Sequence, residues 1–101
     1  MSTSQSNAIA PAIVSVKGGS GVEIANGGTT NETSVIIVGE GGKHIELRDG
    51  IRGLGAVSAD STGRWTFSKT GWTLGLHTII ADAASGTSLP WTFTVVPNKS
   101  A

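Results

Sequence analysis

The sequence predicts an all-β protein built as a two-layer antiparallel sandwich, and three observations carry that expectation. Trp65 and Phe67 alternate with Arg64 and Thr66, and Trp91 and Phe93 alternate with Thr92 and Thr94, which is the period of a half-buried strand. Fifteen glycines and many Ser and Thr residues cut the apolar runs short. No stretch keeps apolar residues at i, i+3, i+4 and i+7 over three turns, so helix is expected to be nearly absent.

Taken in order, the strands are expected at Ala12 to Lys17, Val22 to Ala25, Ser34 to Gly39, Lys43 to Arg48, Leu54 to Ala59, Arg64 to Ser68, Leu76 to Ala83 and Leu89 to Val96. Between them lie Gly18 to Gly21, Asn26 to Gly28, Glu40 to Gly42, Asp49-Gly50, Asp60 to Gly63 and Ala84 to Gly86, sequences that favour turns. Seven or eight strands without βαβ crossovers fit two facing antiparallel sheets. Alternation assigns to the interior Val35, Ile37, Ile45, Leu47, Trp65, Phe67, His77, Ile79, Ala81, Trp91, Phe93 and Val95, joined by Ile13, Leu54 and Val57. Leu54 and Val57 are three apart, so an extra residue near Gly55 and Ala56 is expected to form a bulge. Ile36, Val38 and Ile80 fall on the outer faces in this register and need cover from a loop, the N-terminal segment or a neighbouring domain.

The 101 residues suit one domain, expected over 11–97, with a Ser-rich flexible leader at 1–10 and a short flexible tail at 98–101. Cysteine is absent, which removes disulfides, thiolate metal sites and thiol nucleophiles. Seven Lys and Arg balance seven Asp and Glu and are scattered singly, so nucleic acid is not an expected partner. The longest aliphatic run is Val35 to Val38, far short of the roughly 20 residues a bilayer span needs, so membrane insertion is not expected.

The candidate chemistry is sparse. His44 and His77 lack the flanking ligands of a zinc site and are read as structural. No Gly-x-Ser-x-Gly elbow accompanies the many serines. Asp49 and Asp60 could act as a glycosidase pair only at about 5–9 Å across a cleft, yet both stand where turns favour Asp. The Gly18 to Gly21 and Gly39 to Gly42 stretches open no helix, so they are read as turns and not as phosphate loops. Asn31-Glu32-Thr33 and Asn98-Lys99-Ser100 match the glycosylation pattern, and both are discounted as sites. No catalysis, cofactor or metal is therefore expected.

Set out in order, Pro11-Ala12-Ile13, Ile24 to Thr30, Gly39 to Gly42, Ile45 to Gly50, Gly55 to Asp60, Gly63-Arg64-Trp65-Thr66-Phe67, and Gly75 to Ile79 with Trp91 to Val95 cover about 85 residues. This series resembles the bacterial immunoglobulin-like repeats of large surface adhesins and other secreted proteins. The resemblance implies an immunoglobulin-like sandwich of seven to eight strands. It also implies a structural spacer at the bacterial surface or outside the cell, monomeric when isolated and contacting neighbouring domains of its own chain. Gly75 and His77 stand where such folds often carry a corner tyrosine. Some members bind calcium through Asp residues after the first strand, but Val16-Lys17-Gly18-Gly19 supplies none here. Trp72 is expected under the loop that crosses between the sheets. The competing reading is a module that binds carbohydrate or a cell-surface protein through its end loops or an exposed Trp, with Trp72, Arg64 and Lys69 as the candidate contacts and Trp91 as the second candidate ring. Augmentation of an edge strand by a partner peptide is the third.

Overall fold

A computed structural model describes residues 9–97; the expected tail, most of the expected leader and the Asn98 glycosylation pattern lie outside the described residues. The strands are β1 (Ala12–Gly18), β2 (Gly28–Thr30), β3 (Val35–Glu40), β4 (His44–Asp49), β5 (Arg52–Ser58), β6 (Arg64–Lys69), β7 (Gly75–Ala83), β8 (Gly86–Thr87) and β9 (Trp91–Val95). No helix occurs among the described residues. One sheet has the order β1-β3-β6 and the other β2-β9-β7-β4-β5, with β8 pairing β7. Among the described residues only β2 and β9 pair in parallel.

The two sheets enclose one core, and the period-2 pattern explains its membership. Val16, Val35, Ile37, Trp65 and Phe67 come from the first sheet; Ile45, Leu47, Ile79, Ala81, Phe93 and Val95 come from the second. Ile24 and Trp72, from segments that connect the sheets, close it at the sides. Ile13, Leu54, Val57 and Trp91 are only partly buried and pack at its margin. Ile36, Val38 and Ile80 do face outward and are half-buried. Ile36 stands between Lys17 and Ser68 of the adjacent strands, and Ile80 beside Arg48, so in-plane neighbours cover part of their outward surface.

Among the described residues the strands number nine where seven or eight were expected, and four local features depart from the expected pattern. Val22 to Ala25 is not a strand: its backbone pairs with β1 at the isolated Lys17–Glu23 bridge, with Ser15 Oγ donating to the Glu23 carboxylate, Val22 exposed and Ile24 turned inward. The missing strand is β2, whose Gly-Thr-Thr sequence reads as turn. It is held by a clasp, because Asn26 Nδ2 donates to Pro90 O (3.2 Å) while Asn26 Oδ1 accepts from Thr92 N (2.9 Å). The β5 bulge lies at Leu54, just before the expected place, since Leu47 pairs Gly55 while Arg48 pairs Gly53. A second bulge in β1, at Val14, brings Ile13 and Val16 to the same face.

Chain direction sets two poles. At the N-terminal pole the start of β1 lies against the end of β3, Ala12 opposite Glu40, and Ser85 Oγ donates to Ile9 O at 2.7 Å. At the C-terminal pole β9 finishes with Val95 opposite Gly75, and Val96 N donates to Thr30 O at 2.8 Å. The polypeptide thus enters the sandwich at one pole and leaves at the other.

Candidate functional site

Trp65 dominates the N-terminal pole. Its indole is 2% exposed and lies across Gly39, its cross-strand partner, where an added Cβ would stand 2.1 Å from the ring. Its Nε1–H donates to Gly41 O at 3.1 Å. The Gly41-Gly42 crossover that carries this carbonyl requires φ of 95° and 81°, values that glycine adopts without strain. Beside it, Asp60 Oδ1 accepts from Thr62 N (2.8 Å), Thr62 Oγ1 (2.6 Å) and Arg64 N (3.1 Å). These bonds, with the Thr62 hydroxyl contributing most, hold the Asp60 carboxyl below its usual range. Arg64 is occupied by Glu40 at 3.0 Å. A cleft of about 490 Å³ lies among these loops and Ile9-Ala10.

The C-terminal pole is built differently, around a buried imidazole. His77 is 7% exposed; its ring meets Trp72 edge-on at 5.0 Å and Phe93 at 5.4 Å between centroids. Nε2 lies 2.7 Å from Thr73 O and Nδ1 lies 2.5 Å from Asp49 Oδ2. The carbonyl can only accept, so Nε2 carries the hydrogen on that side, and one more hydrogen joins Nδ1 to the carboxylate. The other Asp49 oxygen accepts from Thr78 N at 2.9 Å. Both carboxylate oxygens are therefore satisfied.

Trp72, 4% exposed, lies in the segment that passes from β6 to β7 and so between the sheets, its Nε1–H donating to Lys69 O at 3.0 Å. A buried ring offers no stacking platform to a sugar; Trp91, which donates to Ile24 O at 3.2 Å, is half-buried. Of the three candidate contacts, Trp72 and Lys69 come together, the Lys69 ammonium standing 5.6 Å from the ring centre. Arg64 begins the same strand that Lys69 ends, about 17 Å away at strand rise, and is at the other pole. Asp49 and Asp60 are also separated: Ala59 N donates to Lys43 O beside the start of β4, whereas Asp49 ends β4. That spacing exceeds what a glycosidase pair needs.

A recess of about 270 Å³ opens at the C-terminal pole between the edges of the two sheets. Asp49 and His77 line it together with Arg52, Lys69, Trp72 and the bare backbone of Gly53 and Gly71. Sequence reasoning placed Lys69 and Trp72 near one another but missed Arg52. It stands in the β4–β5 hairpin, brought beside them only by the long-range pairing of the sheets. Among the described residues no group of three or more His, Cys, Asp or Glu could hold a metal. The chain matches no protein-family model, no curated protein and no solved structure.

Proposed function

We propose that this chain is an immunoglobulin-like, non-catalytic module that spaces its neighbours along a larger bacterial surface or secreted protein. The observation that carries the reading is the path of the polypeptide, in at one pole and out at the other, which lets copies follow one another in line. The strand order is consistent with it: β1-β3-β6 faces a sheet whose centre is β4-β7-β9, as in the A-B-E and C-F-G layers of that fold. His77 fits the corner position, its ring inside and Nε2–H returned to the backbone four residues upstream. The tests are direct. Two copies joined in tandem should scatter X-rays as a rod about twice the length of one, and a compact, folded-back pair would reject the spacer reading.

A further inference from the structure

Every described cation except three has a carboxylate within ion-pair distance: Lys17 has Glu23, Arg48 has Asp82 and Arg64 has Glu40. Lys43, Arg52 and Lys69 have none, and two of these three line the C-terminal recess. The recess also holds the Asp49 carboxylate, whose oxygens are bonded to His77 and Thr78 N–H, so two cations stand against one carboxylate there. Leu54 and Thr73 complete the lining, and Gly53 and Gly71 leave open space where side chains would be, a Cβ at either meeting no atom within 4 Å. Arg52 supplies a planar fork of donors suited to two oxygens of one anion, and Lys69 supplies a second charge, its ammonium 5.6 Å from the Trp72 ring centre and donating one hydrogen to Thr70 O at 3.3 Å.

We propose that this recess binds a small oxyanion-bearing ligand, with Arg52 and Lys69 as its two contacts. The volume admits a phosphate or a single acidic sugar ring and excludes a folded partner. The site is independent of the spacer reading: a tandem rod could carry it at each C-terminal pole, and a compact pair could carry it too.

The experiment is an NMR titration of the full chain with inorganic phosphate, with D-glucuronate and, as a neutral control, with D-glucose. The expected result is a saturable shift of the Gly53 and Gly71 amides and the Trp72 indole N–H with a Kd of about 1–10 mM, weakened by added salt. Shifts with phosphate alone identify a phosphate ligand, and shifts with glucuronate alone identify a sugar carboxylate. Arg52→Gln and Lys69→Gln should each weaken binding about tenfold, and Gly53→Leu should block it by filling the recess with the charges intact. Lys43→Gln, at the other pole, should bind as the parent does. All four positions are at or near the surface, so unchanged spectra elsewhere report that the variants fold. The proposal is overturned if neither anion shifts these signals, if glucose shifts them equally, or if Arg52→Gln and Lys69→Gln both bind unchanged.

Discussion

The two poles of the sandwich solve the same problem with different chemistry. At the N-terminal pole one large ring, Trp65, fills the space over a glycine, and the polar groups around it are backbone atoms and surface turns. At the C-terminal pole the filling is polar as well as aromatic: His77 and Asp49 are tied to each other and to the backbone beneath Trp72. An apolar plug is stabilised by the area it removes from water, whereas a buried polar cluster contributes only while each member keeps its partner. The first pole should therefore respond to changes of volume, and the second to the loss of single hydrogen bonds.

Trp65→Ala should show the largest effect, a loss of about 3–5 kcal/mol in denaturant unfolding, because the cavity cannot collapse onto Gly39. At the other pole His77→Phe keeps a ring against Trp72 and Phe93 yet leaves the Asp49 oxygen and Thr73 O without a donor, which should cost about 2 kcal/mol. An Asp49→Ala, His77→Phe double-mutant cycle should return a coupling of about 1–3 kcal/mol. Additivity there would mean that the pair is incidental and the contrast between the poles is lost. Gly39→Ala, which pushes into the indole, should cost about 1–3 kcal/mol, and its effect should largely vanish in the Trp65→Ala background.

Smaller effects come from three surface carboxylates, one exposed and two half-buried. Glu32, bonded first by the Ser20 hydroxyl, Asp60, bonded first by Thr62, and Asp82, bonded first by Arg48, are all held below their ordinary values of 4.5, 3.8 and 3.8. A group whose carboxyl is more acidic when folded binds fewer protons in that state, so its stabilisation is present above the ordinary value and is lost as pH falls through the lowered one. The thermal midpoint should therefore decline below about pH 4. Asp60→Asn should flatten part of that decline; an unaltered acid limb would show that the Asp60 turn does not contribute. The smallest expected change is with calcium, since adding Ca²⁺ or EDTA should leave the midpoint in place.

The core was legible because alternation alone decides which side chains of a strand face inward, and Val35, Ile37, Trp65, Phe67, Ile79 and Phe93 obey it. Where the ladder gains a residue, alternation breaks. Leu54 could be anticipated from the spacing of two apolar residues, but the Ile13 and Val16 pair was hidden behind Val14, which is itself apolar. β2 was illegible because its Gly-Thr-Thr has no apolar member; it is a strand only through Asn26 and β9, 60-odd residues later in the chain. Ser88 was missed for a related reason. It is buried and accepts from Ala81 N at 2.9 Å, a bond that no local pattern announces. The recess depends even more on tertiary pairing, as Arg52 and Lys69 line it from different sheets. The bulges have a further consequence: β1 and β5 are both edge strands, and each carries its irregularity where an open ladder would otherwise invite another chain.

The spacer reading makes a mechanical demand that the fold meets in a particular place. Tension between the chain's points of arrival and departure runs along the strands, so it loads the parallel β2–β9 pairing and the Asn26 clasp in shear. Stretching single molecules of a tandem chain by their ends tests this most directly. All-or-none unfolding of each copy, at a force lowered by Asn26→Ala, is the predicted result. Gradual extension at low force, indifferent to Asn26, would contradict it.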